Sequence, residues 1–294
     1  MSALIQVIIN GLIAGSIYAL VAAGFSIIYS TNKFIHFVHG AVIAFAAYML
    51  YTFFSLAHLP FSVAIVCTLI TTALLGFLLY KLIYRPLLKK KASMVILLIA
   101  SLGLLILIEN MLQALFGADI KTINAFTITK GWTVAGAIIT PLQVVILAVA
   151  LITLVVVYTV MQKTKLGRHM RAVADNKELA SVMGINEQKI AAYSFILGSL
   201  LAAVAGILIG LEQNLRPTMG TGLIIKGYTG AIIGSVSSVP GAVLGSFLLG
   251  IVENIGILWL PSGYKDAIAF ILLFIFLLWR PQGILGIKKG VKHA

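Results

Sequence analysis

The 294-residue chain carries only eight acidic side chains, and two of them, Glu109 and Glu253, stand inside runs of Leu, Ile, Val, Ala and Gly. Asn110 and Gln113 follow the first, Asn254 follows the second, and His39 opens another apolar run. In lipid, a charge at the centre of such a run costs about 2.5 to 3.5 kcal/mol on insertion scales, so each group must be protonated, paired or wet. Carboxylates and an imidazole so placed could relay protons or line a polar path. They could equally bridge helices through hydrogen bonds worth well under ~2 kcal/mol each, and for Glu109 and Glu253 bridging is the favoured reading. Metal chemistry fits poorly, because His36 and His39 lie three apart with no Asp, Glu or Cys beside them. The single cysteine, Cys67, lies in an apolar run and supports neither a disulfide framework nor a thiolate metal site by itself. No catalytic residue, metal or cofactor is expected.

The elements that must hold these groups follow from composition. The chain is 61% hydrophobic and 10% charged, with a mean hydropathy of +1.11, against about 25% charged residues in ordinary soluble domains. A bilayer span takes about 20 apolar residues. Runs of that size cover 3–29, 38–56, 61–84, 92–116, 138–162 and 190–211, and shorter ones cover 224–236, 241–260 and 267–279. The first run lacks the charged leader of a cleavable signal peptide. The pattern predicts an all-α polytopic membrane protein of about eight transmembrane helices, some broken or half-length, forming one domain over residues 1–294.

The net charge of +13 is not spread over a surface that could hold nucleic acid. Lys81, Arg85, Lys89, Lys90 and Lys91 follow the third run, Lys163, Lys165, Arg168 and Arg171 the fifth, and Arg280, Lys288, Lys289 and Lys292 the last. Basic blocks of this kind mark cytoplasmic loops. The loop 117–137, with Asp119, Lys121 and Lys130, has no such excess and is expected outside. The N-terminus is then outside and the C-terminus cytoplasmic.

An odd number of crossings must join the outer loop near Gln213–Gly222 to the cytoplasmic end, which makes 227–241 a broken or half-length helix pair. Broken backbone at membrane depth survives only where protein or a polar cavity satisfies it. His39, Gly40, Ser235, Ser237 and Gly241, at the two interruptions, are therefore the expected translocation pathway. Gly40-Ala41-Val42-Ile43 also echoes Gly241-Ala242-Val243-Leu244, as an inverted repeat would.

The cytoplasmic loop 163–189 is long and patterned enough to fold. Asp175 or Asn176 can cap a short helix, with Glu178 in its first turn and Gly184 ending it. Leu179, Val182 and Met183 would share one side, suited to a partner protein's groove or to the membrane interface.

This loop carries a resemblance. Glu178-Leu-Ala180-Ser-Val-Met-Gly184 resembles the Glu-x-Ala-x-x-x-Gly core by which permeases of ABC importers dock on their ATPases. Arg171-Ala172, Met183-Gly184-Ile185-Asn186, Phe37-Val38-His39-Gly40, Tyr84-Arg85-Pro86-Leu87, Ser238-Val239-Pro240-Gly241-Ala242 and Arg280-Pro281-Gln282-Gly283 are similar, in order, to the LivH-type permeases of branched-chain amino acid importers. Ser235 and Ser237 stand where glycines are common in that family. The resemblance implies a prokaryotic cytoplasmic-membrane permease subunit that pairs with a second, distinct permease, two ATP-binding subunits and an extracytoplasmic solute-binding protein. Arg171, Asp175, Glu178, Leu179, Ala180, Val182, Met183 and Gly184 would form its ATPase-coupling element. The chain has no Gly-x-x-x-x-Gly-Lys-Ser/Thr phosphate loop, so ATP would bind to the partners. Related permeases for urea and small amides share much of the pattern. A proton-driven secondary transporter using Glu109, Glu253 and His39, or a scaffold subunit, are the alternatives outside the ABC class.

Overall fold

The computed structural model describes residues 2–125, 131–134 and 136–286. Lys130, Lys288, Lys289 and Lys292 lie outside the described residues. The chain is an all-α polytopic membrane protein, and every apolar run becomes helix. Among the described residues eight helices are long and apolar enough to cross a membrane. A ninth, α10 (Met219–Gly234), has 16 residues, about 24 Å of helix.

The central element is α1 (Ser2–Asn32), whose apolar residues surround its whole circumference, the pattern of a helix buried on every side. It packs against α6 (Pro141–Lys163), α9 (Glu187–Glu212), α10 and α11 (Val239–Gly256). Around this centre lie α2 (His39–Leu50), extended by a π-helical turn Tyr51–Leu56, and α3 (Phe61–Leu78), which continues through Leu79–Tyr84 into α4 (Arg85–Lys89). Helices α5 (Met94–Phe116) and α12 (Lys265–Trp279) complete the spans. Both leave many large apolar side chains exposed, among them Ile99, Ile106, Phe270 and Phe274, as lipid allows.

Helix starts follow capping chemistry. Ser93 caps α5, Thr140 and Gln143 form a capping box with Pro141 on α6, and Asn186 caps α9. A short hairpin of β1 (Trp132–Val134) and β2 (Ala137–Ile139) precedes α6. Gln6 of α1 pins it by accepting from the Ile138 N–H at 2.7 Å and donating to the Ile138 carbonyl at 3.0 Å.

Two helices begin partway along α1 rather than at its end. The His39 ring, at the start of α2, packs on Gly24, eight residues before the end of α1 and thus about 12 Å from it along the axis. At the same crossing, α2 and α10 meet through Gly40 and Gly220. The loop expected over 213–222 therefore contains the first four residues of α10. Glycine and Lys226 had diluted the apolar signal there. The second interruption, at 235–238, separates α10 from α11.

Candidate functional site

The residues expected to line a pathway sit at helix crossings. A side-chain carbon on Gly40 would lie 2.6 Å from the Gly220 carbonyl oxygen, and one on Gly241 would lie 2.7 Å from that of Gly234. Glycine is what lets these backbones touch. Each of the two echoing glycines, Gly40 and Gly241, meets another glycine on a neighbouring helix. His39 is fully buried, with its ring against Gly24. Ser235 ends α10 with φ 139° and its hydroxyl lies 3.4 Å from that of Ser237. The N–H groups of Ile284 and Leu285 donate to the carbonyls of Ile233 and Gly234, both at 2.9 Å, so the chain beyond α12 satisfies the free end of α10.

A cavity of about 940 Å³ lies elsewhere, between α1, the end of α9, the first turns of α10 and the facing ends of α11 and α12. Its lining includes the apolar Ile13, Ile17 and Leu223 and the polar Tyr18, Lys226, Asn254 and Asp266. Glu212 and Arg216 stand at its edge with the 213–218 loop. None of His39, Gly40, Ser235, Ser237 and Gly241 lines it.

Behind the polar lining the buried charges are paired. Lys226 Nζ lies 3.2 Å from Glu253 Oε2 and 3.1 Å from Asp266 Oδ1, and the Tyr18 hydroxyl donates to Glu253 Oε2 at 3.1 Å. The Glu253 side chain is wholly buried, so without Lys226 its charge would be untenable. The Lys265 ammonium donates to Asn254 Oδ1 at 3.1 Å. Glu109 accepts from the Thr221 hydroxyl at 2.6 Å, in the first turn of α10, where a carboxylate also faces the positive end of the helix. Both intramembrane carboxylates bridge helices, and Asn110 bonds back to the Ile106 carbonyl of its own helix.

Sequence reasoning missed Lys226, Tyr18 and Asp266. A signal existed for the first, because Lys226 is the sole charged residue between Arg216 and Glu253 and a membrane lysine demands an acidic partner.

In the loop 163–189, expected to be cytoplasmic, two helices form where one was expected. Thr164 caps α7 (Lys165–Asp175) by accepting from the Gly167 N–H at 3.1 Å. Asn176, rather than Asp175, caps α8 (Lys177–Val182) by accepting from the Leu179 N–H at 3.0 Å. Glu178 lies in the first turn of α8. Gly184 follows with φ +80°, and the Ile185 and Gly184 N–H groups return to the carbonyls of Ala180 and Ser181, a Schellman closure. Burial lowers the Lys177 ammonium below its ordinary range, opposed by the nearby Glu187 charge.

The coupling candidates divide into two sets. Leu179, Val182 and Met183 are 63%, 85% and 82% exposed. Ala180 points the opposite way, packed into a small core with Met170, Val173 and Ile190, so its methyl group fills the elbow itself rather than adding to the exposed face. Arg171 donates from its guanidinium to the Met161 carbonyl near the end of α6, tying α7 to that span. Asp175 and Glu178 are exposed.

Residues 7–277 match the family described as branched-chain amino acid transport system, permease component. The chain is 34% identical to the high-affinity branched-chain amino acid transport system permease protein BraD of Pseudomonas aeruginosa, covering 96% of this chain and 95% of that protein. It is 31% identical to LivH of Escherichia coli K12, over 96% and 95% of the two. The probable branched-chain amino acid transport permease LivH of Methanocaldococcus jannaschii is 29% identical over 96% and 93%. Among solved structures, PsaBC from Streptococcus pneumoniae in complex with Fab aligns with a TM-score of 0.51 at 17% identity, covering 93% of this chain and 91% of that one, a likeness of fold. With a family match over most of its length and relatives matched nearly end to end, the chain belongs to the permease components of branched-chain amino acid transport systems.

Proposed function

We propose that this chain is one of two different permease subunits of an ATP-driven importer for branched-chain amino acids, with its N-terminus outside and its C-terminus in the cytoplasm. Two ATP-binding subunits and an extracytoplasmic solute-binding protein complete the assembly. The observation that carries the reading is the α7–α8 elbow: a capped, internally packed unit that displays Leu179, Val182 and Met183 away from its own core. Apolar groups so presented are what a partner groove takes up, and near end-to-end similarity to branched-chain permeases gives the class of solute.

Mechanically, the elbow is joined to two spans. Arg171 holds it to α6, and Ile190 places the first turn of α9 in its core. Movement of docked ATPases would thereby reach α9, which crosses α1 at Gly198 and α2 at Gly206. Close glycine contacts let helices slide or rock as rigid bodies, and alternating exposure of two mouths would move the solute. Asp175 and Glu178, exposed beside the apolar trio, would meet cationic groups of the ATPase.

Coexpression with the ATP-binding subunits and second permease, followed by reconstitution with the binding protein, tests this. ATP-dependent leucine uptake is the expected result. Uptake driven by a proton gradient without ATP or partners would replace this reading with secondary transport.

A further inference from the structure

We propose that Lys226 and Asp266 form a dipolar receptor for the charged end of a zwitterionic amino acid inside the 940 Å³ cavity, an inference that rests on the amino-acid importer reading and deepens it. The two charges lie 3.1 Å apart, on α10 and α12, and both line the cavity. A free α-amino acid carries a carboxylate and an ammonium only one carbon apart. Laid antiparallel on the Lys226–Asp266 pair, its carboxylate meets the ammonium of Lys226 and its ammonium meets the carboxylate of Asp266. Neither protein charge is left unpaired, so the solute can enter and leave without exposing a lone charge to a low dielectric.

The surroundings suit that role. Lys226 is only 15% exposed, whereas the Asp266 side chain is 74% exposed. The fixed partner of Lys226 is therefore the buried Glu253, and Asp266 is the member free to exchange toward a solute. Tyr18, bonded to the same Glu253 oxygen, adds a polar ring to the lining. The same cavity is lined by Ile13, Ile17 and Leu223, which would accept a branched apolar side chain without asking for a hydrogen bond. Glu253 does not line the cavity and acts as a positioning residue, holding the Lys226 ammonium and the Tyr18 hydroxyl. A small uncharged amide would gain little from this lining, which selects for zwitterions.

The test separates recognition from structural pairing. The double substitution Lys226→Met with Glu253→Gln removes the buried pair together, and the carboxylate that loses its partner, Asp266, is largely exposed. If the pair only holds α10 to α11, this variant, in the reconstituted importer, transports leucine at the wild-type rate, and the proposal is overturned. If Lys226 receives the carboxylate, uptake falls at least about tenfold, while copurification with the ATPases shows that assembly persists. Should the double variant fail to copurify, Asp266→Asn, at a largely exposed position, decides: about tenfold slower uptake supports the proposal and wild-type uptake overturns it. Absence of ATP-dependent leucine uptake by the wild-type assembly would reject the importer reading itself, and wild-type uptake with unaffected variants rejects the dipolar receptor alone.

Discussion

The carbonyl oxygen of Gly220 occupies the place where a side chain on Gly40 would begin, 2.6 Å from that carbon. The first turns of α2 and α10 are thereby locked together. Their free N–H groups are met nearby: Gly40 donates to the Phe37 carbonyl at 3.1 Å and Val38 to the Ser101 hydroxyl at 3.0 Å.

Enlarging either crossing should therefore act first on assembly. Gly40→Leu and Gly241→Leu each force backbone apart, and overpacking of this kind costs about 1 to 3 kcal/mol or more. Both should lower the thermal melting point of the detergent-purified permease, with Gly40→Ala falling between Leu and wild type. Unchanged melting of Gly241→Leu together with lost uptake would instead mean that Gly241 lines the path.

The elbow makes a different demand. Gly184 has φ +80°, a conformation that costs an L-residue roughly 1 to 2 kcal/mol and a β-branched one more. Ala180→Glu would push a carboxylate into the apolar contact with Met170, Val173 and Ile190, a site costly for a charge. Gly184→Val and Ala180→Glu should each speed hydrogen exchange across 176–185 while the spans keep their protection. Equal exchange in wild type and Ala180→Glu would show that the elbow core does not hold α8.

Topology is read by labelling. Cysteines replacing the exposed Lys90 and Asp119, in a background with Cys67→Ala, should react with an impermeant maleimide from opposite sides, Lys90 from the cytoplasm and Asp119 from outside. Labelling of both from one side would contradict the assigned crossings.

Much of this was legible in the sequence, because lipid imposes its rules on composition. Each apolar run became a helix, and the Asn176, Glu178 and Gly184 pattern marked α8 with its cap and its stop. The start of α10 was not legible, since Gly220, Gly222 and Lys226 diluted the apolar signal of a helix that lies against protein. Nor was the direction of Ala180, because a six-residue helix gives too few positions to fix a face. The cavity was hidden for a third reason: its polar lining is assembled from Tyr18, Lys226 and Asp266 on three helices, and no local spacing links residues so far apart.

The central claim, that α8 is the coupling element to ATP-binding subunits, is tested most directly by replacing Leu179, Val182 and Met183 together with serine. All three are exposed, so the permease should reach the membrane in normal amounts and melt as the wild type does. Copurification of the ATP-binding subunits should fall at least about tenfold, as expected when apolar anchors leave an interface, and ATP-dependent leucine uptake should fall with it. A triple variant that retains its ATPases and transports at the wild-type rate would contradict the account.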